Sequence, residues 1–240
     1  MIRSWPGVPA AVALALAAVL VAGGGGTSAS PSKKAASPSV AGRAASTDVT
    51  PLAIKVEGCT LVASRGTGFA VGGGLVVTVA HLIRGSKQIT VEGYSAEPLV
   101  VDLRSDVSVL RVSSDAAASG SSGLSDGADT ADAATGEPVV VQVFRDGEVT
   151  TLDATVVRTP MIHFEEPMDH TYYDRQGIFL DGLAIVKGDS GSPVVDSAGK
   201  VVGMVFATGQ TRDRAYAVNF AEIRALLPRP DATPVDTGTC

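Results

Sequence analysis

Gly188-Asp189-Ser190-Gly191-Ser192-Pro193-Val194-Val195 sets one serine between glycines at the entry to an apolar run. Glycine on either side removes the Cβ atoms that would block a tight bend. Such a bend can aim several backbone N–H groups into one small hollow, where an oxyanion could sit. Alone, the run is a Gly/Ser turn leading into a strand. Its meaning depends on what the rest of the chain brings beside it.

The chain has 240 residues and a formal net charge of −6. Arg3 precedes an almost unbroken Ala/Val/Leu run from Val8 to Ala22, with no further charge before Lys33. A basic start and an apolar run of this length form the pattern of a secretory signal. The run is shorter than the ~20 residues of a comfortable membrane span. Residues 1–29 are therefore expected to be a cleaved signal peptide or a retained membrane anchor. Residues 30–50 have the Ala/Ser/Pro composition of a flexible linker. The folded domain is expected over 51–228, with a tail over 229–240. The expected location is outside the cell or in the periplasm or envelope. The acidic balance offers no basic face for nucleic acid. Contact with membrane is expected only through a retained anchor, and the protein is expected to be a monomer.

Within 51–228, short Val- and Thr-rich runs alternate with Gly, Asp and Ser turns. Thr60–Val62, Thr67–Val71, Leu75–Val79, Gln88–Val91, Leu99–Val101 and Val107–Val112 form one group. Pro138–Phe144, Thr151–Val157, Val194–Val195, Val201–Phe206 and Ala215–Val218 form another. The Ala/Ser/Gly/Asp-rich stretch from Ser113 to Thr135 divides them. This spacing predicts an all-β architecture of two antiparallel barrels. One helix follows, with Asn219 as its cap, Glu222 three residues later and Pro228 as its stop.

Three residues carry potential chemistry. Serine is a weak nucleophile until a base takes its proton. A neutral histidine can do so near pH 7 and return the proton to a leaving group. A buried carboxylate can fix the tautomer of that histidine. His81 closes an apolar strand, Asp106 opens the strand 107–112, and Ser190 lies in the turn quoted above. His163 and His170 lie in a segment with Glu165, Glu166 and Asp169. Their spacing fits no strong metal pattern, so a solvated loop and no metal or cofactor is expected.

In order along the chain, Thr78-Val79-Ala80-His81, Asp106-Val107-Ser108-Val109-Leu110 and Gly188–Pro193 resemble the motifs of the trypsin-like (chymotrypsin-fold) serine proteases. Thr67-Gly68-Phe69 is similar to the Gly-Ser-Gly-Phe before the family's histidine strand. The pattern most resembles exported bacterial members, the MarP-like and HtrA-like protease domains. Unlike those members, it is expected to carry neither a multi-span apolar region nor a PDZ domain after the protease domain.

The resemblance implies two six-stranded barrels with a cleft between them and protein or peptide substrates. It implies His81 as general base and acid, Asp106 as its orienter and Ser190 as nucleophile. The N–H groups of Gly188 and Ser190 would form the oxyanion hole. Ser192 stands where the family has a second glycine. Ala184 would floor the primary pocket and Phe206, Ala207 and Thr208 would wall it, which favours small or medium apolar residues unless Arg214 intrudes. The rival readings are an inactive binding protein on the same fold and a serine esterase with the same triad.

The two cysteines, Cys59 and Cys240, bracket the domain. In an exported protein such a pair is expected to form a disulfide, the alternative being two free thiols. The closed loop of about 180 residues would contribute at most roughly 5 kcal/mol.

Overall fold

The computed structural model describes residues 49–58, 64–115, 127–165 and 170–238. Cys59, Cys240, the strand expected at 60–62, the signal segment and the linker up to residue 48 lie outside these residues. The first six strands are β1 (Pro51–Glu57), β2 (Ser64–Gly72), β3 (Leu75–Thr78), β4 (Gln88–Val91), β5 (Tyr94–Asp102) and β6 (Val107–Val112). A one-turn helix, α1 (Ala80–Ile83), follows β3. The strands close into an antiparallel barrel in the order β1-β2-β3-β6-β5-β4.

The second sheet holds β7 (Pro138–Arg145), β8 (Glu148–Arg158), β9 (Met161–Glu165), β10 (Tyr172–Asp181), β11 (Pro193–Asp196), β12 (Val201–Thr208) and β13 (Arg214–Asn219). Its order is β13-β12-β11-β7-β8-β10-β9, and β13 also pairs with β10. That extra pairing closes six of its strands into a ring and leaves β9 as the outer arm of a hairpin. Asp146 and Gly147 turn the chain between β7 and β8 with φ of 53° and 87°. Positive φ at both central residues gives a turn whose twist matches the strands.

Apolar side chains separate into three clusters. Leu52, Ile54, Val76, Ile89, Val91 and Leu110 fill the first barrel. Val141, Val156, Ile178, Leu180, Val202 and Val205 fill the second. The third cluster joins Phe69, Val77, Val107 and Val109 of the first barrel to Val195, Met204, Phe206 and Val218 of the second sheet. Successive strand residues point to opposite faces, so Val76 faces its own barrel while Val77 faces the other. Strands such as β3 and β12, buried on both faces, therefore read as unbroken apolar runs.

Helix α2 (Phe220–Leu226) is capped as expected, the Asn219 side chain accepting from Ala221 N at 3.0 Å. Glu222 does not complete the capping pattern. Its carboxylate accepts from Gln176 N of β10 at 3.2 Å and so ties the helix to the hairpin. The segment expected as a solvated loop around His163 contains β9 instead. An exposed hairpin can be polar on its outer face and still pair its backbone.

The tail beyond α2 lies across the first barrel. Val235 N donates to Pro98 O at 2.8 Å, Gly85 N to Thr237 O at 2.9 Å and Thr237 Oγ1 to Ser86 O at 2.9 Å. Arg111 reaches the carbonyls of Pro230 and Ala232. Each such bond contributes about 1 kcal/mol net. A chain ending at Pro228 loses these five bonds and is expected to lose about 5 kcal/mol of stability by this count. Chemical denaturation of both chains in reductant, where no disulfide contributes, measures the loss.

Candidate active site

His81 does not end β3, which stops at Thr78, but sits in α1. The helix begins at Val79, which has no polar side chain to satisfy the first free amides. Asp106, just before the neighbouring strand β6, supplies the missing acceptors. Its carbonyl accepts from Ala80 N at 3.2 Å and its Oδ1 from His81 N at 2.8 Å. Its Oδ2 is 2.8 Å from His81 Nδ1. One residue thus fixes both the backbone and the ring of the histidine. Asp106 manages this with φ of 57°, a left-handed conformation that Asp tolerates better than most residues. Its side chain is 4% exposed, whereas that of His81 is 37% exposed. The carboxylate is buried and the ring keeps an open face.

Ser190 lies in the turn before β11 and is half-buried. Gly191 beside it has φ of +93°, and a Cβ there would lie 1.7 Å from Thr67 O. Only glycine fits. Gly188 has φ of +105°. Ser192, the departure from the family pattern, is fully buried, and its backbone N and O bond to Asp189 O and Val205 N.

Thr67 of β2 holds this turn against the first barrel. Its N–H donates to Ser190 O at 2.9 Å and its hydroxyl to Gly188 O at 2.9 Å. Its own carbonyl accepts from Thr78 Oγ1 at 2.8 Å. Gly66 lies between the serine turn and the histidine helix. A Cβ on Gly66 would be 2.4 Å from the Leu82 side chain and 3.3 Å from Ser190 O. The two expected chemical groups are therefore carried on turns that approach across the width of one glycine.

Asp189 is the second buried carboxylate of the site, with no exposed surface. Arg145, at the end of β7, forks onto it through Nε, at 3.0 Å, and Nη2. The same guanidinium donates to Ala184 O at 2.9 Å, and Asp189 Oδ2 accepts from Val186 N at 2.7 Å. The bonds from Asp189 hold Arg145 above even its ordinary range, against the opposing effect of burial. The structure adds the parts played by Thr67 and Arg145. Thr67 is legible in the sequence as the first residue of the Thr67-Gly68-Phe69 stretch, but not as the residue that holds the serine turn. Arg145 directly precedes the Asp146-Gly147 turn, and nothing in its local sequence points to Asp189.

The residues expected to shape a primary pocket are less uniform. Ala184 is exposed. Phe206 is buried, while Ala207 is half-buried and Thr208 exposed. Arg214 is drawn away by Asp181, its Nε lying 3.0 Å from Oδ1. A cleft of about 570 Å³ borders Gly188 and Asp189 on the other side, lined also by Arg65, Arg145, Val186 and Lys187. None of Ala184, Phe206, Ala207 or Thr208 lines it. His163 pairs with Asp174 and His170 with Glu165, all on the exposed hairpin. No cluster of three metal-binding side chains occurs among the described residues.

The sequence profile of the trypsin-like peptidase domain matches residues 66–204, and the chain belongs to that family. It is 30% identical over 186 residues to the protein named serine protease Rv3671c of Mycobacterium tuberculosis. That match takes in 73% of this chain and 45% of the relative, so the chain spans less than half of the relative's length. The crystal structure of Rv3671c protease in its active form superposes with a TM-score of 0.70 at 25% identity, covering 81% of this chain and 86% of that one. The HtrA-type protease AlgW, solved with a tripeptide, shares the fold with a TM-score of 0.57 at 17% identity, over 73% of this chain and 58% of its own.

Removing one partner of a largely buried ion pair costs about 3–5 kcal/mol, less where one partner is partly exposed. Arg145→Met is therefore expected to cost about 2–4 kcal/mol in chemical denaturation. Arg145→Lys should recover only part, because an ammonium cannot fork onto the carboxylate. A stability for Arg145→Met equal to the parent protein would show that Asp189 needs no counter-charge.

Proposed function

We propose that this protein is an exported serine endopeptidase that works through an acyl-enzyme. The observation that carries this reading is the hold of Asp106 on His81, with Oδ1 on the backbone and Oδ2 on Nδ1. A ring fixed in this way keeps its Nδ1 proton and offers Nε2 as the base. In the first step the Ser190 hydroxyl proton passes to His81 Nε2 while Oγ bonds to the substrate carbonyl carbon. The carbonyl oxygen becomes an oxyanion, received by the N–H groups of Gly188 and Ser190. The C–N bond then breaks as His81 returns the proton to the leaving amine. Water repeats the cycle: its proton goes to His81, its oxygen bonds to the acyl carbon, and the ester C–O bond breaks as Ser190 is reprotonated.

The oxyanion hole depends on the shape of the 188–191 turn. The bonds from Thr67 and the Arg145–Asp189 pair are what support this assignment. A pocket with Ala184 at its floor carries no charge, and Arg214 is already engaged by Asp181. Small or medium apolar side chains before the scissile bond follow. Substrates are proteins or peptides, and no cofactor is invoked. Export rests on the pattern of residues 1–29. Among the described residues no helix is long and apolar enough to cross a membrane.

Labelling with a fluorophosphonate tests the nucleophile. The parent protein should be labelled, while Ser190→Ala and His81→Ala should not be. Asp106→Asn should label at least about a thousandfold more slowly, because the ring loses its tautomer. A folded parent protein that stays unlabelled would overturn the reading in favour of a binding protein. Turnover of esters but of no member of a peptide library would overturn the peptidase assignment.

We further propose that Cys59 and Cys240 form a disulfide. The residues leading to each cysteine converge on the turn 85–87. Lys87 N donates to Glu57 O at 2.7 Å, and a Cβ on Gly58 would lie 3.2 Å from Gly85 O. Thr237 bonds to Gly85 and Ser86 of the same turn. A non-reducing peptide map should contain a linked Cys59–Cys240 fragment. Reduction should lower Tm by several degrees, as about 2–4 kcal/mol implies for a domain of this size. Quantitative alkylation of both thiols without reductant would overturn the pairing.

A further inference from the structure

Arg175, in β10, is buried with no exposed side-chain surface. Its guanidinium carbon lies 4.8 Å from the ring centres of both Phe164 and Phe206. Among the described residues, none of its three nitrogens makes a hydrogen bond. Burial presses its pKa below the ordinary range, opposed by Asp106, Asp102 and Glu222, in that order. A guanidinium still keeps its proton in a protein. Burying such a cation without hydrogen bonds costs several kcal/mol, and an apolar residue of similar volume would serve packing better. The position is thus poorly explained by stability.

What it gains is proximity to one atom. Arg175 Nη1 is 3.8 Å from Asp106 Oδ2, the oxygen that contacts His81 Nδ1 at 2.8 Å. The guanidinium is close enough to act as a counter-charge but too far to take the hydrogen bond. The two phenylalanine faces supply the rest of its stabilisation.

We infer that Arg175 is a positioning residue of the triad: a fixed positive charge that faces Asp106 without hydrogen-bonding to it, leaves Oδ2 to His81, and opposes formation of the imidazolium at acid pH. The inference rests on the His81–Asp106–Ser190 reading above. The ionisable groups facing this arrangement are few. Asp102 lies at the end of β5, Asp106 precedes β6, His81 is in α1 and Glu222 is in α2. His163 and His170 are paired on the exposed hairpin.

The sign follows from charge. A cation behind Asp106 makes a second positive charge on His81 less favourable and lowers the pKa of the ring. His81 must be neutral to act as base, so activity should persist to lower pH than with the carboxylate alone. Arg175→Met should move the acid limb of kcat/KM upward by about one pH unit. That is a tenfold loss on the acid limb, with a smaller change on the alkaline plateau. Arg175→Lys should return the limb toward the parent position. A limb in Arg175→Met that superposes on the parent would overturn the inference, and so would Arg175→Lys behaving like Arg175→Met.

If Arg175→Met does not fold, the full chain with Ser190→Ala still decides the matter. NMR titration of the His81 ring should give a pKa at or below the ordinary value of about 6.5. A higher value would mean that Asp106 acts on the ring unopposed, and would overturn the inference. Fluorophosphonate labelling of the parent keeps the outcomes separate. An unlabelled parent removes the triad reading, whereas a labelled parent with an unmoved acid limb removes only the role of Arg175.

Discussion

The structure turns on three hydrogen bonds made by a single buried side chain and its backbone, those of Thr67. Its N–H and hydroxyl reach Ser190 O and Gly188 O in the turn before β11, and its carbonyl receives Thr78 Oγ1. Thr78 ends the strand that leads into α1, and α1 carries His81. The serine turn and the histidine helix are therefore referenced to one residue rather than merely to their own barrels. Such a strut tolerates no slack. Gly191 must lack a Cβ because Thr67 O occupies that space, and Gly66 must lack one because Leu82 and Ser190 O approach from either side. The apolar cluster between the barrels, with Phe69, Val77, Val109, Met204 and Phe206, provides the rigid backing. Close packing of this kind transmits displacement, which is why a bond in β2 can set the shape of a turn before β11.

The fold was largely legible in advance because its strands are apolar on two faces. β4 and β6 begin and end where their Val/Ile-rich runs do, and α2 starts at its Asn219 cap. Three further strands, β1, β9 and β10, are absent from the expected set. β1 does alternate, with Leu52, Ile54 and Val56 turned inward behind its leading proline, whereas β9 and β10 carry His, Glu, Tyr, Asp and Arg among few aliphatic residues. Their pairing is set by partners far along the chain, such as β13 for β10, and not by local preference.

The candidate site was legible where function demands an unusual local pattern. Glycines flank Ser190 because of backbone geometry, and that leaves a mark in the sequence. A histidine after an apolar strand and an aspartate before another leave weaker marks, which gain force in combination. Thr67 leaves one only as part of Thr67-Gly68-Phe69, which says nothing of its bonds to the serine turn, and Arg145 and Arg175 leave none. Each acts through a contact with a residue tens of positions away, and each has a bland local reading as a strand or hairpin residue. What makes them informative is burial together with the absence or presence of particular bonds, and neither quantity is written in the local sequence.

Two buried carboxylates govern the site, and each has an arginine from the second sheet, yet the two pairs are built differently. Arg145 forks onto Asp189 and also grips Ala184 O, so its charge arrives with directional bonds. Directional bonds suit Asp189, whose task is to hold a loop in one shape. Arg175 stands 3.8 Å from Asp106, with aromatic faces rather than acceptors around it. A directional bond there would compete with His81 for the same carboxylate oxygen and turn the ring out of line. Charge without a hydrogen bond avoids that competition, while the bonds of Asp106 to Ala80 N, His81 N and His81 Nδ1 remain intact. The same cation type thus supplies directional bonds to one carboxylate and charge alone to the other, the first holding a loop and the second holding the proposed base.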